Sequence, residues 1–171
     1  MPTINDKLVL DAVNKALADL KPRGSIPSLT STEKSHPEWS CNNFSPATLE
    51  YVLEASKGTD KTTNYKGDPA KWPDSFPTQS FVNFSLMFKD SSSNHNFNVF
   101  FDNGNISYLT QVYLGHTIRI STPDHASEFI KHWKQLGTKD WVTAYEALFY
   151  VKPPTHDNAY TEQYVTVVTS P

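Results

Sequence analysis

The chain has 171 residues, 37% of them hydrophobic, and a formal net charge of −3. This composition excludes a disordered tail, which lacks enough apolar residues to form a core, and it predicts one compact domain over 1–171. Because only 19% of the residues are charged and only Arg23 and Arg119 are arginines, a nucleic-acid partner is not expected.

The apolar residues are dispersed along the chain. No run approaches the ~18 consecutive apolar residues that a membrane span needs. The first residues, Met1 to Lys7, also lack the basic start and apolar core of a secretory signal. The expected location is therefore the cytoplasm, unless a signal has been removed or secretion follows another route.

The first predicted element is a helix over 4–21. Its apolar residues recur at spacings of one, three and four, which is the pattern of one helical stripe, and Pro22 ends it. The stripe fits a helix packed on the protein's own sheet, or an arm that docks on a partner. Its members are Leu8, Val9, Ala12, Val13, Ala16, Leu17 and Leu20.

A Pro-rich segment over 22–79 follows, and it is expected to be irregular because its apolar periodicity nearly vanishes. The exception is a predicted short helix over 46–57, with Pro46 at its first position and Gly58 just past its end. The connection over 58–77 is expected to be a long loop, and such loops are functional or mobile.

The sheet is predicted in the rest of the chain, 80–171, where apolar and polar residues alternate. Asn103 and Gly104 are the strongest short hairpin signal, because a type I′ turn needs positive φ at both positions. A two-residue loop would pair Asp102 with Asn105, Phe101 with Ile106, Val99 with Tyr108 and Phe97 with Thr110.

A third helix is predicted over 123–136, with Thr122 as its cap and Pro123 first. Aromatic and β-branched residues predict two further strands, Trp141 to Val151 and Tyr160 to Thr169. Since no βαβ repeat occurs, the expected fold is α+β. It has a single antiparallel sheet of five or six strands with a central meander, and helices cover one face.

One metal-like constellation lies on the third helix, where His125, Glu128 and His132 share about 60° of arc. Two histidines seven residues apart are about 10.5 Å apart along a helix, which is too far to share an ion at ~2.1 Å. We therefore interpret them as the rim of a packed face, and no metal or cofactor is expected.

An enzymatic hypothesis needs an acid–base site under the 58–77 loop. His95 or His116 would act as the base and Glu146 as the carboxylate partner, in a small hydrolase or lyase. Glu146 interrupts the apolar run at 141–150, where a carboxylate is either solvated or held for a purpose. Cys41 lies in a string that matches no cysteine-hydrolase pattern.

Uncharged amides and aromatic rings favour a different function. They suit a small polar ligand such as a sugar or a peptide, so a non-enzymatic binding module, for such a ligand or for a protein partner, is the leading hypothesis. A third hypothesis is a host-interaction or toxin-antagonist protein that acts through its surface. The candidate ligand residues are Trp39, Tyr65, Trp72, Asn96, Asn98 and Tyr108.

Overall fold

The computed structural model describes residues 3–29, 32–57, 59–65, 68–77, 79–88, 94–102, 105–113, 116–138, 140–149 and 160–169. The helices in these ranges are α1 (Asp6–Asp19), α2 (Phe44–Ser56), α3 (Pro123–His132) and α4 (Trp141–Phe149). The strands are β1 (Thr32–Ser35), β2 (Thr59–Tyr65), β3 (Ser80–Phe88), β4 (Asn94–Asp102), β5 (Asn105–Tyr113), β6 (Thr117–Ser121) and β7 (Tyr160–Thr169).

The strands form one antiparallel sheet in the order β1-β6-β5-β4-β3-β7-β2. The α+β class and the meander from β3 to β6 are therefore confirmed. The described sheet has seven strands, more than predicted, because β1 and β2 come from the Pro-rich segment that was expected to be irregular. Both pair with strands far along the chain, which is a contact that local sequence does not reveal.

The sheet is covered on both faces, and the prediction of helices on one face is wrong. On β3, Phe81 packs in one hydrophobic cluster, whereas Val82 and Phe84 pack in the other. This follows from the alternation of side chains along a strand. The α1/α2 layer covers one face, where α1 packs on α2 and α2 packs on β3, β4 and β5. The α3/α4 layer covers the other.

Residues 141–149 form α4, and the predicted strand there is wrong. Trp141, Tyr145 and Leu148 are buried at spacings of three and four, while Val142 and Glu146 are exposed. These spacings match the 3.6 residues per turn of an α-helix. Burying one helical stripe stabilises the helix by more than the weak strand preference of aromatic and β-branched residues opposes it.

The hairpin between β4 and β5 begins in the predicted register, with Asp102 opposite Asn105. The register then shifts next to Phe101, so that Val99 faces Leu109 and Phe97 faces Gln111, and the predicted pairs for Val99 and Phe97 are wrong. Such a β-bulge inserts one extra residue in one strand. As a result, Gln111 faces the α3/α4 layer and Thr110 faces the α1/α2 layer.

The three predicted helices occur with shifted ends, and the third ends earlier because Trp133–Gly137 is a 3₁₀ turn. Asn5 caps α1 by accepting from the Leu8 amide at 2.9 Å. The Asn14 side chain pairs with the backbone of Ile26, at 3.0 Å and 2.7 Å, and so fixes the Pro-rich segment to α1. None of the described helices combines the length and apolarity that crossing a bilayer requires.

Aromatic rings fill the core under the α3/α4 layer. Phe84 lies at its centre, stacked on Phe97 with ring centroids 4.9 Å apart and in edge contact with Phe129 and Trp133. Phe76, from the Pro-rich segment, also contacts Phe84. That segment therefore contributes to the core as well as covering it.

Replacing Phe84 by alanine should lower the free energy of unfolding by about 3–5 kcal/mol, because a fully buried ring leaves a cavity among neighbours that cannot collapse. Val142→Ala is the control, since Val142 is 39% exposed and should change stability by less than about 0.5 kcal/mol. Urea denaturation followed by circular dichroism measures both. A Phe84→Ala effect as small as the control would contradict this packing.

Candidate functional site

The aromatic candidates lie apart from one another. Trp39 is 5% exposed, in the core of the α1/α2 layer, and Trp72 is 6% exposed in the opposite core, stacked on Trp133. Tyr108 is half-buried and stacks on Phe100. Tyr65 is in β2, and its side chain lies outside the described residues. The three rings that the structure describes, those of Trp39, Trp72 and Tyr108, are therefore not assembled into one surface.

The two amide candidates are brought together, and a third asparagine joins them. The Asn83 amide nitrogen donates to Asn98 Oδ1 at 2.8 Å and to Asn96 Oδ1 at 2.6 Å. Asn98 in turn donates to the backbone carbonyl of Ser45, in the first turn of α2, at 3.1 Å. We call these bonds the amide network. It joins β3, β4 and α2.

The network belongs to a polar row that crosses the sheet. Thr166 on β7, Asn83 on β3, Asn98 on β4 and Thr110 on β5 are direct neighbours in register. Directly opposite residues share a face, so all four side chains point toward the α1/α2 layer. Neither Asn83 nor Thr166 was a candidate from the sequence. Thr166 joins the row only through the pairing of β3 with β7, which connects residues about half the chain length apart.

The part of the row under α2 is buried and polar. Asn98 and Ser45 are fully buried, and Thr110 is nearly so. Among the described residues, neither Ser45 Oγ nor Thr110 Oγ1 has a hydrogen-bond partner. A buried polar group without a partner costs about 1–3 kcal/mol, so such groups are rare in native proteins.

Two residues farther along β3, β4 and β7, a second set of polar side chains reaches the surface. Ser85, on β3, lies opposite both Asn96 and Tyr164. Tyr164 is 37% exposed, while Ser85, Asn96 and Thr166 are half-buried. We call the surface made by these four side chains the polar face, and none of the four carries a charge at neutral pH.

The segment that leads into α2 borders the polar face. The Cys41 thiol lies beside the Asn96 backbone and 3.8 Å from Asn42 Oδ1. Burial is the main influence on this thiol and raises its pKa, so the protonated form dominates at neutral pH. Since the thiolate is the nucleophile, this environment does not activate Cys41.

The proposed acid–base residues are dispersed. His116 lies at the β5–β6 turn, where its Nδ1 is 2.8 Å from the Trp39 carbonyl and donates to it. His95 is buried on the opposite face of the sheet, with Nε2 3.0 Å from Gln111 Oε1. Glu146 is exposed on the outer side of α4, because residue 146 belongs to a helix and not to a strand. These positions do not bring the three groups together.

The metal candidates occupy two different environments. His125 is buried, and its ring nitrogens contact Ser121 Oγ at 2.6 Å and the Ala147 carbonyl at 2.5 Å. His132 pairs with Glu128 at 3.2 Å on the outer surface. Within the described ranges, no three His, Cys, Asp or Glu side chains are placed to hold a metal ion.

Comparison with known proteins finds no family model and no curated protein that matches this chain. Among solved structures, the chain is similar to the Pseudomonas avirulence protein AvrPphB, with 14% sequence identity and a TM-score of 0.35. The alignment covers 95% of this chain and 70% of that one. A likeness at this level carries no argument about fold or function.

His95 should make stability depend on pH. Burial lowers its pKa from 6.5 to about 4. The unfolded chain therefore binds a proton in this interval that the folded protein does not, and stability falls as the pH decreases below about 6.5. The loss should reach about 3 kcal/mol near pH 4.

Urea denaturation between pH 4 and pH 7.5 tests this expectation by comparing wild type with His95→Phe, whose ring fits beside Phe97 and Phe149. The variant should show a smaller pH dependence than wild type. Part of the dependence should remain, because burial also lowers the pKa of His125, which the variant retains. His36→Gln is the control, because it retains His95. Parallel curves for wild type and His95→Phe would show that His95 is not buried as described.

Proposed function

We propose that the chain is a non-enzymatic binding module for a small, uncharged polar ligand of the saccharide type, bound on the polar face. The observation that carries this proposal is the amide network. In this network Asn96 accepts a hydrogen bond through its side-chain oxygen. The two N–H groups of the Asn96 amide therefore remain as donors to a ligand.

The orientation of Asn96 supports a recognition role. Its Oδ1 accepts from Asn83 at 2.6 Å, and Asn83 is itself held by Asn98. No described residue accepts a hydrogen bond from Asn96 Nδ2. A donor fixed before binding loses little side-chain entropy when the ligand arrives, so Asn96 is preorganised to donate to a ligand hydroxyl or carbonyl.

The chemistry of the polar face matches a neutral saccharide. Ser85 and Thr166 supply hydroxyl groups that donate or accept, and Tyr164 adds a partly exposed ring with an apolar face and a polar tip. Sugar rings present the same combination of apolar faces and hydroxyl edges. Since the four side chains are uncharged, a strongly acidic or basic ligand would find no counter-charge among them.

The Asn96→Asp variant tests this proposal. A carboxylate oxygen still accepts from Asn83, so the amide network remains, but both donors toward the ligand are lost. With neutral tetrasaccharides of glucose or N-acetylglucosamine as probes, the dissociation constant should rise by about tenfold. Calorimetry measures the affinity, and amide chemical shifts in β3, β4 and β7 locate the binding.

Thr143→Asp is the charge control, because it adds a carboxylate at an exposed position of α4, in the opposite layer. It should bind the tetrasaccharides as wild type does. The proposal is contradicted if none of these probes shifts the resonances of the polar face, or if Asn96→Asp binds them with unchanged affinity while circular dichroism shows an intact fold.

A further inference from the structure

A groove of about 690 Å³ lies on the outer side of the α1/α2 layer, away from the polar face. Clefts of this size hold small molecules. Its lining comes from the residues before α1, from the outward side of α1 and from the end of α2. The side chains that matter here are Thr3, Asn5, Lys7, Leu8, Asp11 and Ala55.

The groove is open because small side chains line it where the two helices meet. Ala18 from α1 and Ala55 from α2 lie at this end, and Leu8 adds apolar surface. Asn14, also in the lining, is held by both of its hydrogen bonds to Ile26. The walls are therefore preformed rather than made by flexible side chains alone.

The charges in the groove alternate along α1. Lys7, Asp11 and Lys15 follow one another at intervals of four residues, so they lie on one side of the helix in steps of about 6 Å. The Lys15 ammonium lies 5.9 Å from the centre of the Tyr51 ring, and the Tyr51 hydroxyl donates to Asp19. Lys15 is thus already placed against α2. Lys7 and Asp11 are exposed in the groove lining, so their charges are accessible to a ligand.

Polar groups surround Lys7 at the start of α1. The Asn5 oxygen is used to cap the Leu8 amide, which leaves the Asn5 amide N–H groups as donors. The Thr3 hydroxyl lies in the same lining. An ammonium, two amide N–H donors and a hydroxyl at a helix N-terminus together form a site for a carboxylate.

We infer that this groove binds a short zwitterionic peptide of two or three residues. Its terminal carboxylate pairs with Lys7 and the Asn5 amide, and its terminal ammonium pairs with Asp11. A dipeptide spans at most about 7 Å, which matches the axial step of about 6 Å between Lys7 and Asp11. Its side chains lie over Leu8 and the alanines. No contact of this proposal involves the polar face, so the two sites are independent.

The test uses L-alanyl-L-alanine and two derivatives that each lack one charge, N-acetyl-alanyl-alanine and alanyl-alanine amide. In ¹⁵N chemical-shift titrations, the dipeptide should bind at millimolar concentration with changes confined to α1 and the end of α2. Either derivative should bind about tenfold more weakly, because a charge-assisted hydrogen bond is lost.

Two variants assign the ends of the ligand. The Asp11→Asn variant should bind the dipeptide and its N-acetyl form with equal affinity. The Lys7→Met variant should bind the dipeptide and its amide with equal affinity. Lys131→Met, on the exposed side of α3, is the control and should keep both preferences. Circular dichroism confirms that each variant is folded.

The inference is overturned if the dipeptide leaves the groove resonances unchanged, or if all three ligands bind equally. It is also overturned if both variants keep the wild-type preferences. Because saccharide binding is measured on β3, β4 and β7, failure here is distinguishable from failure of the proposed function.

Discussion

Two buried asparagine side chains, Asn83 and Asn98, couple the strand register to the position of α2. The Asn83 amide reaches Asn98 only if β3 and β4 pair as they do, and Asn98 reaches the Ser45 carbonyl only if α2 starts where it does. Buried amides are tolerated when they are hydrogen-bonded, and each failure costs about 1–3 kcal/mol. The polar contacts therefore select one arrangement of helix and sheet, whereas apolar packing alone would tolerate several.

The bulge between β4 and β5 makes this arrangement possible. Because it shifts the register by one residue, Thr110 joins Asn98 on the α1/α2 side, and Gln111 turns toward His95 on the other. Without it, the two side chains would exchange faces. One face of the sheet then carries an aromatic core around Phe84, and the other combines an apolar core with the polar row. The aromatic core therefore lies on the face of the sheet opposite the one on which we place ligand binding.

The sequence predicted what depends on local chemistry. The caps and stop signals of α1, α2 and α3 are short-range features, and the structure has the helices they predict. The predicted turn at Asn103 and Gly104 lies outside the described residues, but Asp102 and Asn105 on either side of it pair as predicted. The residues of α4 were assigned to a strand because their aromatic and β-branched types were weighed above their spacing. β1, β2 and the pairing of β7 with β3 depend on contacts between distant parts of the chain.

The same distinction applies to the sites. Asn96 and Asn98 were recognised from alternation within one strand. Tyr164 and Thr166 join them only through the pairing of β7 with β3, which no local pattern reveals. The alternating charges of Lys7 and Asp11 are visible in the sequence. The groove beside them is not, because Ala55 comes from another helix. Trp39 and Trp72 were predicted to contact a ligand, but both are buried in the core. Large aromatic residues more often fill a core than form a ligand-binding surface.

A double-mutant cycle between Asn83 and Asn98 tests the central claim most directly. Asn83→Ala, Asn98→Ala and the double variant are compared with wild type by urea denaturation. If the amide network holds β3, β4 and α2 together, the two substitutions should couple by about 1–3 kcal/mol, because either one alone leaves a buried amide without its partner. Effects that add to within about 0.5 kcal/mol would show that the two residues act independently and would contradict the account.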